Sequence, residues 1–201
     1  MNIQSLEALR TLYAAPGERA VKKQLPTLDV HCKQFIALSP FVVMATTDVA
    51  NNTDASPRGG APGFVKVSDD GALLIPDSPG NNRLDTLENI IATGRAGLLF
   101  MIPGIHETLR VNGRASLSLC LSDIALCTNE KRVPKLVIRV AVNAAYLHCA
   151  KAFMRSRLWD AAAQLPRGAL PPTGRILGDH TGIETAPETP EEMARRYAPD
   201  L

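Results

Sequence analysis

Gly63-Phe-Val-Lys-Val-Ser-Asp-Asp-Gly-Ala-Leu-Leu-Ile-Pro76 decides the architecture. It holds two short β-rich runs, residues 63–67 and 72–75, around Asp69-Asp70-Gly71. Asp-Gly supplies the positive-φ positions of a tight hairpin turn. Pro76 closes the second run because it has no N–H to give to a ladder. A turn this short can join only antiparallel neighbours, since parallel strands need a crossover of about a dozen residues or more. The same pattern repeats on both sides. Phe41-Val-Val-Met-Ala-Thr-Thr47 lies upstream; residues 96–102, the alternating run 108–119 and Lys135-Leu-Val-Ile-Arg-Val-Ala-Val142 lie downstream. The spacing predicts six strands with short connections, hence an antiparallel sheet or barrel and not a doubly wound fold. Residues 51–60 read as a loop.

Helical periodicity fills the rest. Residues 3–37 read as helices, with Leu6, Leu9, Leu12 and Tyr13 at helical spacing, Gly17 and Pro26 as punctuation, and a stop at Ser39-Pro40. Leu84, Leu87, Ile90 and Ile91 form an apolar stripe over 83–93. Asn81 or Asn82 is the expected N-cap of that helix, and Gly94 its stop. Residues 122–129 and 151–163 read as two more helices. The segment from Pro166 is rich in Pro and Gly and ends in a helix capped at Thr189-Pro190. The expected organisation is a helical extension over 1–38, a barrel domain over 39–163 and a tail over 164–201.

With 201 residues and 45% hydrophobic composition, one core is within reach. Aromatics make up only 4%, so the core must be aliphatic. A net charge of +2, without runs of like charge, excludes a dedicated nucleic-acid binder. Cys32, Cys120, Cys127 and Cys149 form no CxxC pair and read as free thiols. The first residues lack the apolar centre of a signal peptide, and no apolar stretch approaches the ~20 residues of a membrane span. The expected location is cytoplasmic, with no membrane partner. His106-Glu107 opens like a zinc-protease helix, but Arg110 stands where the second His belongs. No Walker loop, GxSxG elbow or GxGxxG turn is present. No metal is expected.

Two segments carry chemistry. Gly80-Asn-Asn-Arg83 precedes an amphipathic helix, whose first N–H groups attract anions while Arg83 adds a planar fork suited to phosphate. Ser56-Pro-Arg-Gly59 precedes the strand that holds Lys66, so Arg58 and Lys66 are candidate partners of the same anion. Taken alone, each reads first as ordinary surface: a capped helix with a solvated Arg, and two unrelated cations.

Their order adds a second line. Asp54-Ala-Ser-Pro-Arg58, Gly63-Phe-Val-Lys-Val67, Leu73-Leu-Ile-Pro-Asp77, Gly80-Asn-Asn-Arg83-Leu-Asp-Thr-Leu-Glu-Asn-Ile90, Gly97-Leu-Leu-Phe-Met-Ile102 and Leu109-Arg-Val-Asn-Gly-Arg-Ala115 stand in sequence. This ordered set resembles the pyridoxamine 5′-phosphate oxidase-like, FMN-binding split-barrel superfamily, over most of residues 10–160. It is closest to the bacterial oxidase-related branch of unassigned substrate. The resemblance implies an antiparallel six-stranded split β-barrel with N-terminal and peripheral helices, and a homodimer with FMN at its interface. It places Phe64, Val65 and Lys66 along the isoalloxazine and Ile75 and Pro76 at the paired strand end. Asn81, Asn82 and Arg83 match the family's Ser-Arg-Lys phosphate turn. Only one cation survives there, so Arg58 or Lys66 must supply the rest. Thr108 is the polar residue that opens the later strand, and Arg155 and Trp159 are candidates beside the partner's flavin. Trp159 reads equally as a buried anchor.

The implied activity is that of an FMN-dependent oxidoreductase acting on a small molecule, with NADH or NADPH as the candidates. Hydride would enter at the flavin N5, and a cation (Arg58, Lys66 or Arg155) would stabilise negative charge near N1. The family's Arg-x-His substrate clamp has no match in Arg195-Arg-Tyr-Ala-Pro-Asp-Leu201, so the substrate stays open. His148 reads as a hydrogen-bonded core residue and Cys149 as a small buried one. Three alternatives share the fold: a non-catalytic flavin-binding or sensing module, a deazaflavin site, and a haem site using His31, His106, His148 or His180.

Overall fold

The structure is a computed structural model that describes residues 2–129, 131–183 and 188–200. In chain order the elements are α1 (Leu6–Arg10), α2 (Glu18–Lys22), α3 (Val30–Leu38), β1 (Phe41–Thr47), β2 (Thr53–Gly59), β3 (Lys66–Val67), β4 (Leu73–Pro76), α4 (Asp85–Thr93), β5 (Arg95–Met101), β6 (Thr108–Ser118), α5 (Leu121–Cys127), β7 (Val137–His148), α6 (Lys151–Ser156), α7 (Thr173–Thr181) and α8 (Pro190–Tyr197). All seven strands join one sheet in the order β2-β1-β5-β6-β7-β4-β3. Every pairing is antiparallel. The expected antiparallel split-barrel architecture is present, with seven strands instead of six.

The seventh strand is β2, in the segment that reads as a loop. Its residues pair with β1 from Phe41↔Gly59 to Thr47↔Thr53. At the other edge, the run 63–67 shrinks to Lys66–Val67. Gly63 adopts φ 77 and sits 3.1 Å, measured from a built Cβ, from the Ala37 carbonyl oxygen. The chain therefore turns against the end of α3 there instead of extending.

Alternation sorts the side chains. Val42, Met44 and Thr46 of β1 point inward with Ala96, Leu98 and Phe100 of β5. Leu109, Val111, Ala115, Ile138 and Val140 complete an aliphatic core around Phe100. Cys32 and Ile36 of α3 and Leu87 and Ile90 of α4 seal it from above. On β6 the register shifts between Asn112 and Gly113, a bulge that bends the sheet. Gly113 is required there, since a Cβ would lie 2.2 Å from the Ala141 carbonyl oxygen.

Helix ends follow local chemistry. Asp29 caps α3 through the Cys32 N–H at 2.8 Å, which holds the Asp29 carboxyl below its usual range. Gly94 ends α4 in the left-handed region as expected. Its N-cap differs from expectation: Asn82 has φ 60 and Asn81 Oδ1 accepts from the Arg83 N–H, so Leu84 becomes the cap residue without a side-chain bond. The helix expected over 151–163 stops at Ser156, because Arg157 turns left-handed at φ 52. Outside the sheet, α1 and α2 bury no residue, and neither do α7 and α8. Among the described residues, no helix is long and apolar enough to cross a membrane.

Candidate functional site

Three stretches far apart in sequence meet at one end of the sheet. The β2 end brings Pro57, Arg58 and Gly59. The β4–α4 connection brings Pro76 to Leu84, and the loop before β7 brings Arg132, Val133 and Lys135. Together with Phe64, Thr86 and Leu87 they enclose a cavity of about 460 Å³, a volume ordinary for cofactor sites.

Each wall has a local cause. Arg58 stands opposite Val42 in the β1–β2 ladder, so its side chain shares the inward face. Its Nε is buried and has no hydrogen-bond partner among the described residues. A buried guanidinium nitrogen without a partner is costly, so the arrangement points to an acceptor from outside the chain. Phe64 is pressed against Gly60, where a built Cβ would lie 2.8 Å from the Phe64 Cβ. Only glycine lets the ring occupy that wall. Arg83 is mostly exposed and ion-paired to Asp85 at 2.5 Å. Lys135 comes near because β4 pairs with β7 at Pro76↔Val137 and the Asp77 N–H donates to the Leu136 carbonyl at 3.1 Å.

A hydrogen-bond chain fixes β2 to α4. Thr86 Oγ1 donates to the Asp54 carboxylate at 2.7 Å, and Ser56 Oγ lies 3.0 Å from Thr86 Oγ1. With the Thr86 proton committed to Asp54, Ser56 is the donor to Thr86. This chain sets the spacing between Arg58 and the start of α4. There the N–H groups of the first turn carry the positive end of the helix dipole, and Leu84 gives them no side-chain cap.

The cavity collects four cations (Arg58, Arg83, Arg132 and Lys135) against one carboxylate, Asp77. That balance suits an anionic ligand. Six residues singled out in the sequence line it: Arg58, Phe64, Pro76, Asn81, Asn82 and Arg83. The other six do not. Val65 and Ile75 lie in the core, and Lys66 is exposed on β3. Thr108 is buried opposite His148. Arg155 is exposed on α6. Trp159 lines a shallower depression with Gly104, His106, Met154, Arg157 and Asp160. There its indole N–H donates to the Ile105 carbonyl at 2.8 Å, and its ring lies 5.5 Å from that of Phe153. Sequence reading missed Arg132 and Lys135. Their signal was present in Lys131-Arg-Val-Pro-Lys135 ahead of the clearest strand.

None of the four histidines lines the larger cavity. His148 is half-buried against Tyr146, with ring centroids 5.1 Å apart. Burial, then the charges of Lys23 and Arg110, hold its imidazole below the usual value. Burial pushes the Cys32 and Cys127 thiols up to about 11. Among the described residues, no group of three or more His, Cys, Asp or Glu is placed to hold a metal ion.

The family model described as pyridoxamine 5′-phosphate oxidase matches residues 28–149, more than half of the chain. The chain belongs to the pyridoxamine 5′-phosphate oxidase family. HupZ of Group A Streptococcus aligns with a TM-score of 0.50 at 17% identity, covering 60% of this chain and 94% of that one. General Stress Protein 26 of Bacillus anthracis aligns at 0.43 and 14%, covering 59% and 94%. An F420 reductase aligns at 0.40 and 15%, covering 56% and 94%. The search of curated proteins gave no match. At these identities HupZ shares the fold alone. The matched span of this pyridoxamine 5′-phosphate oxidase family member starts at α3 and ends just past β7. The cavity lies wholly within it.

Proposed function

We propose that the cavity binds FMN and that the chain is an FMN-dependent oxidoreductase acting on a small molecule. Supporting this reading, and carrying it, is the buried, unpartnered Nε of Arg58 in a cavity that also holds Arg83 and the start of α4. These groups fit a phosphate monoester: a planar fork, a second cation and free helix N–H groups. Phe64, Pro76, Val133 and Leu87 supply apolar wall for a flat ring system.

The division of labour follows from placement. Arg58 and Arg83 would hold the phosphate, with Asn81 and Asn82 shaping the turn around it. Phe64 and Pro76 would orient the ring and exclude water from one side. Lys135, which lines the cavity, would stabilise negative charge near the ring. FMN, when bound, supplies the hydride chemistry, so the chain needs no nucleophile of its own. NADH or NADPH is the proposed donor.

We further propose a homodimer. Phe41, Val43 and Ala45 of β1 point away from the core, opposite Met101, Leu99 and Gly97 of β5. These side chains make an apolar strip on the outer face, of the kind a self-complementary interface uses.

The test is an absorption spectrum of the purified protein with added FMN, before and after anaerobic NADH or NADPH. Flavin bands that bleach on reduction are expected. Bands indifferent to both nicotinamides would turn the reading toward a flavin-sensing module. A protein that stays colourless with added FMN overturns the cofactor assignment.

A further inference from the structure

Arg132 serves two neighbours at once. It lines the cavity, and its guanidinium donates to the Asp200 carbonyl at 2.9 Å. The backbone that launches it is fixed. Asn129 and Arg132 exchange N–H···O bonds at 3.0 and 3.2 Å, and Asn129 Oδ1 also accepts from the Arg132 N–H at 3.0 Å. Asp200 belongs to the short turn Ala198–Asp200 that follows α8. α8 is itself well built. Thr189 and Glu192 form a reciprocal capping box, and Arg196 grips Glu188 through two 2.8 Å bonds. Its docking is slight by comparison, since no described residue from 157 onward is buried.

We infer that Arg132 couples the cavity to this segment: an anionic ligand takes the guanidinium from the Asp200 carbonyl and frees residues 189–200. The inference rests on the cavity binding an anion, as proposed above. The competition has a clear direction. A carbonyl is a neutral acceptor, whereas a phosphate oxygen makes a shorter, charge-assisted bond with arginine. Arg58 and Arg83 hold the same phosphate, so the ligand gains several partners while the segment loses one. Linkage makes the effect reciprocal: a segment displaced by the ligand must weaken that ligand's binding by the same factor. Residues 198–200 are thus a strap that restrains Arg132 until the anion arrives.

Hydrogen–deuterium exchange of residues 189–200 in the full chain tests this, with FMN as probe and quenching of FMN fluorescence as an independent binding readout. Three results are expected. Arg132→Gln speeds exchange of the segment without ligand. Saturating FMN does the same in the unaltered protein and adds nothing in Arg132→Gln. Thr189→Ala, which loosens α8 away from the cavity, tightens FMN binding about two- to fivefold. Bound FMN with unchanged exchange overturns the coupling and leaves the cofactor reading intact. So does Arg132→Gln exchanging like the unaltered protein. Absence of FMN binding overturns the cofactor reading and the coupling with it.

Discussion

Thr86, at the start of α4, donates its hydroxyl to the carboxylate of Asp54 on β2 at 2.7 Å. These residues lie 32 positions apart, and their bond ties an edge strand of the sheet to a helix that covers the core. Thr86 is buried and Asp54 half-buried. Thr86→Val keeps the shape and removes the donor, leaving the carboxylate without it. The expected loss is about 1–3 kcal/mol, read as a lower denaturation midpoint at unchanged slope. FMN binding should weaken as well, since β2 carries Arg58. A variant as stable as the unaltered protein would show that β2 is held by its ladder to β1 alone.

Arg58 sets stability against function. Its buried Nε lacks a partner among the described residues, so the ligand-free protein carries a desolvation cost that a bound anion removes. Arg58→Met keeps the apolar stem and deletes that atom. Stability of the ligand-free protein should stay within about 1 kcal/mol or rise. FMN affinity should fall about ten- to a hundredfold, the loss expected for one charge-assisted hydrogen bond. Chemical denaturation and fluorescence titration of the same preparation measure both. A variant both less stable and equally tight would reverse the assignment.

The sequence made the antiparallel core legible because β1, β5, β6 and β7 pair hydrophobic periodicity with β-forming residues. It hid β2. Asp54, Ser56, Pro57 and Gly59 are poor strand formers, and only pairing with Phe41–Thr47 makes them a strand. Proline is tolerable there because β2 is an edge. The reverse error occurred at 63–65, where good strand formers are turned away by the close approach of Gly63 to Ala37. Asn82 failed as a cap for a similar reason: a left-handed backbone three residues before the helix prevents it from reaching the free N–H groups.

The site was legible only where its chemistry is local. Arg58, Asn81, Asn82 and Arg83 announced themselves by turn residues beside cations. Arg132 and Lys135 are brought in by the long-range β4–β7 pairing, which no local pattern encodes. Trp159, read equally as anchor or flavin neighbour, is tied to the Ile105 carbonyl, away from the larger cavity.

Gly113 offers a test of the bulge that separates the two halves of the sheet. A Cβ there would meet the Ala141 carbonyl oxygen at 2.2 Å and Val140 Cγ1 at 2.7 Å. The first contact is with backbone, which cannot rotate aside. Gly113→Ala should cost about 3 kcal/mol or more, seen as a large fall in Tm or loss of soluble protein. Gly104→Ala is a useful contrast: it has φ 85 but nothing within 4 Å of its Cβ, so it should pay only conformational strain of about 1–2 kcal/mol. Equal effects would mean that β6 and β7 slide to relieve the clash.

His148 gives the pH dependence a sign. Burial, then Lys23 and Arg110, depress its folded-state pKa below the usual imidazole value of about 6.5. The unfolded chain therefore binds the proton more readily than the folded one. Stability attributable to His148 is complete above the unfolded pKa and is lost as pH falls from about 6.5 through the depressed folded value. The neighbours explain why protonation is resisted. Lys23 Nζ donates to the Leu147 carbonyl at 2.8 Å, and Arg110 reaches the Tyr146 hydroxyl at 3.1 Å, so a third positive charge would enter a cluster that already holds two. His148→Gln should flatten the difference in denaturation midpoint between pH 7.5 and pH 5.5 relative to the unaltered protein. An unchanged difference would assign the acid sensitivity to the carboxylates, Asp70 among them, which the bonds from Ser68 and Arg139 hold low.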